Sequence, residues 1–416
     1  MTPVVIVPAA IGEGKRFMAE KKMPGREVTW RNTAPELVCP ADAAGVQKTV
    51  RETAEKKKSL SVYASAVQTD VGLSFVKMNR ILEIDPANLV AVVEPGLRLG
   101  DLAKALNKEC LRFMPSETPF YHEKSVGEFY YEGCSNISSL KYGAAKHFLM
   151  GTEIVLPDGQ LMKTGGKTVK NVTGYDMTRF MNSPFAAFGV TVKFILKLLP
   201  AAEARQPVAA GFDTTEAVSD FIGELRQAKI IPSYLLWIDP RTQALMHGES
   251  EAACQLVFME LDGISEEISR QHDAVMSLLA KYRPATQDEC GIDNFENTKL
   301  KELFTSSRGY VLADELKIRR TDVFRFIDTF YKMAAERRIS AGLFGQLAEG
   351  KLNIFLEELS PGSTDFIRQI ISIPAGEGVY SSGRFNRMLG LSPAGPLVQT
   401  EQSLKKLFDP DDILKG

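Results

Sequence analysis

The pattern of apolar and polar positions changes texture at Pro200. Before it, short β-branched runs alternate with amphipathic stretches. Residues 40–55 read as a helix that opens after Pro40-Ala41-Asp42, with Asp42 suited to the N-cap. Ser61-Val62-Tyr63 reads as a short strand. Ile81-Leu82-Glu83-Ile84 and Leu89-Val90-Ala91-Val92-Val93 are divided by Asp85-Pro86-Ala87-Asn88, which predicts a hairpin. Pro95-Gly96 turns the chain, and residues 99–110 carry apolar side chains at helical spacing. Beyond Gly151, two strands flank Pro157-Asp158-Gly159, where proline presets φ and glycine takes the positive φ that closes the turn. Gly165-Gly166 follow, and a polar loop from Lys170 to Asp176 leads into a helix.

After Pro200 three strand-then-helix units appear: VAAGFD into TTEAVSDFIGELRQA, QLVFMELDG into ISEEISRQHDAVMSLLAKY, and GYVLADEL into RTDVFRFIDTFYKMAAER. LNIFLEEL adds a further strand. Such alternation predicts an α+β region with an antiparallel sheet. Residues 1–35 read as an irregular leader, and no internal repeat is evident.

Composition narrows the function classes. The 416 residues suffice for two or three domains, and 44% hydrophobic with 25% charged residues is ordinary globular content. A net charge of −2 gives no pull toward nucleic acid or an anionic membrane. Lys56-Lys57-Lys58 reads as a solvated helix end. No run approaches the ~18 apolar residues that span a bilayer. The N-terminal apolar patch lacks a basic lead, which argues against a signal peptide and for a cytoplasmic protein, peripheral to a membrane only through partners. Cysteines at 39, 110, 134, 254 and 290 form no CxxC, which argues against an iron–sulfur or structural zinc site and fits a reducing cytosol. Histidines 122, 147, 247 and 272 pair at no metal-ligand spacing.

The run TGGKTVKNVTGYD at residues 164–176 and the segment VKMNRILEIDPANLVAVVEPGLRLGDLAKAL resemble the FAD-linked oxidase family. That family includes the glycolate oxidase FAD subunit and D-lactate dehydrogenases, within the vanillyl-alcohol oxidase and p-cresol methylhydroxylase (PCMH) superfamily. The tail FDPDDILKG is similar to its "DPxxILNPG" ending. The resemblance implies an α+β fold: a two-subdomain PCMH-type FAD-binding scaffold over 36–200, an α/β cap domain over 201–375 and a C-terminal return over 376–416. Residues matching its flavin segments are Ser125, Val126, Gly127, Gly174, Tyr175, Asp176, Gly189 and Val190. Lys170 and Asn171 fit the same loop, which could also persist as packing between the subdomains. Arg308 resembles a cap arginine for a substrate carboxylate, with a solvated arginine as the competing reading.

The chain departs from the family where chemistry is expected. The pyrophosphate loop "PRGGGT" corresponds to residues 62–72, where only Gly72 remains. A lost glycine puts a Cβ where backbone must approach phosphate. "TIGGNVATNAGG…LKYG" corresponds to SVGEFYYEGCSNISSLKYG, so Glu128, Phe129, Tyr130, Tyr131 and Glu132 replace small residues and would compete with flavin for space or repel its phosphates. "GSEGTLGVIT" corresponds to Ser183 through Thr191. In the cap, "GHxGDGNLHxN" has both histidines replaced, by Gln346 and Asn353, and "GEHGIG" corresponds to Tyr380 through Phe385 without Glu or His. Amides are poor transition-metal ligands, and no base for the substrate hydroxyl remains there.

These departures imply no catalytic residues, no metal and no expected cofactor. The leading expectation is a non-catalytic or flavin-poor subunit of a glycolate- or lactate-type oxidoreductase complex. Its partners would be a flavoprotein paralogue, an iron–sulfur subunit, or both. Two rivals stay open: a working FAD-dependent 2-hydroxy-acid dehydrogenase, and a stand-alone module that takes another ligand in the flavin pocket.

Overall fold

The computed structural model describes residues 22–23, 26–27, 36–62, 69–117, 121–131, 133, 136–168, 174–182, 188–247, 254–282, 310–311, 316–357, 361–371 and 396–415. Within the leader, Lys22–Met23 and Arg26–Glu27 form one small antiparallel pairing. The other described residues fall into two packed units. A scaffold unit draws on 36–136, 143–201 and 396–415, and a cap unit on 137–142 and 202–371.

The scaffold unit holds two main sheets and a short antiparallel pairing of Leu111–Arg112 with Leu199–Pro200. Strands β1 (Glu36–Val38), β2 (Leu60–Val62) and β3 (Val71–Leu73) run parallel. The C-terminal strand Leu414–Lys415 joins them on the free side of β2. It is held there by the buried Asp409 carboxylate, which accepts from the backbone N–H of Ile413 (2.9 Å) and Leu414 (2.8 Å) and from the Lys405 amine. Helix α1 (Ala43–Glu55) is N-capped by Asp42, whose carboxylate accepts from Gly45 N–H at 2.8 Å. Its Val46 and Val50 pack among Leu60, Val71, Val155, Val190 and Val192, joining residues of both sheets into one core.

The second sheet is antiparallel. The hairpin β4 (Ile81–Asp85) and β5 (Val90–Val93) turns where Asp85 accepts from Asn88 N–H at 3.0 Å. The hairpin β6 (Leu149–Val155) and β7 (Leu161–Gly165) turns at Gly159, with φ +80°. Strand β8 (Val190–Lys197) lies between the hairpins, giving the order β7-β6-β8-β5-β4. Helices α2 (Leu99–Asn107), α3 (Val126–Tyr131) and α4 (Met177–Met181) belong to the same unit, as does the C-terminal helix Pro396–Phe408. Gly165 has φ +62°, and a Cβ there would stand 2.0 Å from the Met150 carbonyl oxygen and 2.7 Å from Thr178 Oγ1. The glycine lets the end of the hairpin close onto α4.

The cap unit is one antiparallel sheet with four helices on one face. Its strands are β9 (Ala204–Phe212), β10 (Tyr234–Ile238), β11 (Gln255–Gly263), β12 (Ala341–Gln346) and β13 (Lys351–Leu356), in the order β9-β11-β10-β12-β13. The short strands Tyr310–Val311 and Leu316–Lys317 both pair with β13. Helices α5 (Thr215–Gln227), α7 (Ser265–Leu279), α8 (Val323–Glu336) and α9 (Pro361–Ile371) bring Phe221, Val275, Phe330 and Phe366 onto Val208, Trp237, Val257, Leu343 and Ile354. Helix α6 (Pro240–His247) connects β10 to β11. The opposite face carries a separate cluster of Ala209, Leu236, Ile238, Phe258, Phe344 and Phe355. Strands β10 and β12 were not visible in the period-two pattern. Both of their faces are buried, so the alternation that marks a half-exposed strand is missing.

Candidate functional site

The flavin-segment residues separate into two groups. Ser125 precedes α3, which Val126 and Gly127 open, and Gly189 precedes β8, which Val190 begins. Gly127, Gly189 and Val190 line one cavity, together with Val62, Tyr130, Tyr131, Met181, Asn182, Thr191 and Phe194. Its volume is about 40 Å³. That is room for roughly one water, against ~300 Å³ or more for an ordinary small-molecule pocket.

Aromatic packing explains the small volume. Phe129 is fully buried and lies edge-on to Tyr121 and Tyr130, each with ring centroids 5.4 Å apart. Tyr130 stacks on Phe194 at 5.4 Å and 15°, and its hydroxyl donates to the Ala145 carbonyl at 3.2 Å. Burial pushes the Tyr130 phenol well above its usual pKa, so it stays neutral.

Ser125 and Glu128 form a capping box. The Glu128 carboxylate accepts from Ser125 N–H (2.8 Å) and from the Ser125 hydroxyl (2.9 Å), while Ser125 Oγ accepts from Glu128 N–H (3.1 Å). An acidic side chain thus already occupies the start of α3. Glu128 is part of the helix start, a role that the spacing Ser-x-x-Glu could have signalled. Gly189 is likewise a packing residue: a Cβ there would stand 2.4 Å from Ile154 Cγ2 and 3.0 Å from the Val155 carbonyl oxygen.

The second group sits apart from this cavity lining. Gly174 has φ +84° with open space around it, and Tyr175 is 94% exposed. Asp176 is the N-cap of α4 and accepts from Arg179 N–H at 3.0 Å. Lys170, Asn171, most of the 62–72 loop (63–68), Glu132, residues 183–187, Arg308 and residues 380–385 lie outside the described residues. A larger cavity of about 370 Å³ borders α1, β1 and β3, and no sequence-predicted site residue lines it.

In the cap, Gln346 and Asn353 fall on neighbouring strands, with Phe344 opposite Asn353 and Gln346 opposite Lys351. This makes them diagonal neighbours on one sheet face. Sequence reading missed what surrounds Gln346. Glu349 accepts from Ser139 Oγ at 2.6 Å and from Lys351 Nζ at 3.1 Å, and Lys351 also donates to Ser139 Oγ at 2.6 Å. The Gln346 amide nitrogen, turned toward this cluster, donates to Glu349 and to the Ile137 carbonyl at 3.2 Å. Nearby in sequence, Lys141 and Tyr142 donate to the buried Asp262 carboxylate at 2.7 and 2.8 Å. The short helix Ser139–Tyr142 is therefore tied to the cap sheet by three of its four side chains. Among the described residues no group of three His, Cys, Asp or Glu side chains converges as a metal site would.

Comparison with known proteins places this geometry. Residues 34–165 match the model of an FAD binding domain, and residues 201–357 that of the FAD linked oxidases, C-terminal domain. The two matches together take in more than two thirds of the chain, which belongs to the FAD-linked oxidase family. Glycolate oxidase subunit GlcD of Bacillus subtilis (strain 168) is 28% identical over 293 residues, 68% of this chain and 62% of that one. Glycolate oxidase subunit GlcE of Escherichia coli (strain K12) is 27% identical over 219 residues, 47% of this chain and 62% of that one. The chain thus spans about 62% of the length of each of these relatives. The crystal structure of p-cresol methylhydroxylase with substrate bound superposes with a TM-score of 0.71 at 16% identity, covering 91% of this chain and 87% of that one. That likeness fixes the PCMH-type fold. The expectation of no cofactor gains no support from the matches, both of which are to FAD families. Among the described residues the cavity beside Gly127 and Gly189 is small, and the Glu128 carboxylate caps the start of α3. No helix among the described residues is long and apolar enough to cross a membrane.

Proposed function

We propose that the chain is a flavin-poor, non-catalytic subunit of a 2-hydroxy-acid oxidoreductase complex, working beside a flavoprotein paralogue, an iron–sulfur subunit, or both. The observation that carries this is the cavity of about 40 Å³ at Gly127, Gly189 and Val190, bordered by Tyr130 and Phe194. Support in the cap comes from Gln346 and Asn353 at the positions of metal-binding imidazoles, with the Lys351 ammonium opposite Gln346. Amides bind such metals weakly, and the Glu349 carboxylate beside Gln346 is already engaged by Lys351 and Ser139. The subunit part of the reading draws on GlcD and GlcE, two differently named subunits of glycolate oxidase that both resemble this chain. A cytoplasmic location follows from the same reading. The test is the absorption spectrum of the purified chain and of its denatured supernatant. No flavin bands at about 375 and 450 nm are expected, because the isoalloxazine would be their source. A stoichiometric yellow preparation overturns the proposal.

The FAD binding domain match over 34–165 favours a second reading, an FAD-dependent 2-hydroxy-acid dehydrogenase. Yellow protein that turns over glycolate or lactate with an added electron acceptor would establish it.

A further inference from the structure

Lys146, His147, Arg179 and Lys197 come together on one surface of the scaffold unit. Lys146 and His147 stand on the single helical turn Ala145–Phe148, which runs directly into β6. Lys197 ends β8, whose Leu196 lies opposite Leu149 of β6. Arg179 projects from α4, and its Nε donates to the Lys146 carbonyl at 3.4 Å. All four side chains are exposed.

This patch has little internal neutralisation. Several other surface lysines of the same unit come with an acid: Lys58 with Glu36 at 3.1 Å, Lys167 with Glu83, and Lys163 and Lys193 with Glu153 at 3.1 and 3.0 Å. Among the described residues, neither Lys146 nor Lys197 has a carboxylate at ion-pair distance. Asp176 is engaged, pairing with Arg179 at 3.2 Å and capping α4. Burial, followed by the charges of Arg179, Lys146 and Lys197, holds the His147 imidazole below its usual pKa, as expected where positive charge is concentrated. Beside the patch stands Tyr175, 94% exposed and immediately before Asp176. Tyrosine and arginine are the side chains over-represented among residues that anchor protein interfaces.

We propose that Lys146, Arg179 and Lys197, with Tyr175 as the anchor, form a docking surface for an acidic face of a partner protein. Charge complementarity selects the partner: three formal cations against one engaged acid attract a carboxylate-rich surface. The inference deepens the reading of the chain as a complex subunit, and a flavin spectrum of the same preparation separates the two.

The probe is a fluorescein-labelled peptide of about ten glutamates, followed by anisotropy with the full chain. Binding is expected at low salt and should weaken roughly tenfold or more between about 50 and 300 mM NaCl. Lys146→Glu with Lys197→Glu should weaken it at least about tenfold, and Tyr175→Ala several-fold. The pair Lys104→Glu with Lys108→Glu, exposed on and just after α2, should leave it unchanged. Both positions of the patch pair are solvent-facing, and matching thermal midpoints would confirm that the variants fold. No binding, or equal loss in the control pair, overturns the proposal. Displacement by millimolar inorganic phosphate, or equal affinity for a single-stranded oligonucleotide of the same length, also overturns it in favour of a free anion or nucleic acid. Peptide binding by a yellow protein would leave the docking surface standing and remove the flavin-poor reading.

Discussion

Around Phe129 the scaffold unit is closed by aromatic volume; around Lys351 the cap is closed by paired charge. At the first place Tyr130 packs edge-on against Phe129 and stacks on Phe194. At the second, Glu349, Lys351, Ser139 and Gln346 bond mutually, with the Lys351 and Glu349 side chains only 16% and 12% exposed. The two closures differ in how they fail. An aromatic cluster loses contacts in proportion to what is removed. A buried ion pair loses little if both charges go together and much if one goes alone. One region is therefore graded and the other cooperative, and that difference can be measured.

The largest effect is expected at Phe129. Phe129→Ala should cost about 3–5 kcal/mol, read as a lowered urea midpoint, because a fully buried ring leaves a cavity its neighbours fill only in part. Phe129→Leu should cost well under half as much. A loss below about 1 kcal/mol for the alanine variant would mean that the rings are loosely packed and the region is open.

Next is the cap pair. Lys351→Met should cost about 2–4 kcal/mol, since it leaves the Glu349 carboxylate largely buried beside Ser139 without its cation. Adding Glu349→Gln should restore more than half of the loss, giving a coupling energy of roughly 1–3 kcal/mol in the double-mutant cycle. Additive losses would show that the two charges act independently and would erase the contrast with Phe129.

Much of the fold was legible and much of the site was not. Asp42 as an N-cap, the turn at Asp85–Asn88 and the turn at Pro157–Gly159 follow from local chemistry, which acts over a few residues. The strand Tyr234–Ile238 was hidden because five consecutive large side chains show no period. Ser125–Glu128 carries a capping signature legible from its spacing alone, because Ser-x-x-Glu sets the two side chains within reach of each other's backbone N–H. The Ser139–Lys351 contact joins residues 212 positions apart, and no local rule reaches that far. The same holds for Lys146, Arg179 and Lys197, which only the pairing of β6 with β8 and the position of α4 bring together.

The smallest expected effect bears most directly on what the glycines are for. Gly189 is expected beside flavin from the family resemblance; in this fold its missing Cβ makes room for Ile154 Cγ2 and the Val155 carbonyl. Gly189→Ala must push β8 from β6 or turn Ile154 off its rotamer, because 2.4 Å is far inside van der Waals contact. The expected cost is about 1–3 kcal/mol in the flavin-free protein, measured by urea unfolding. If the glycine served a cofactor alone, alanine would leave apo stability untouched and lower the flavin content of a yellow preparation. If it serves packing, stability falls and the spectrum stays as it was. The two outcomes exclude each other, so one small substitution reports whether this end of the sheet is shaped for a ligand or for its own neighbours.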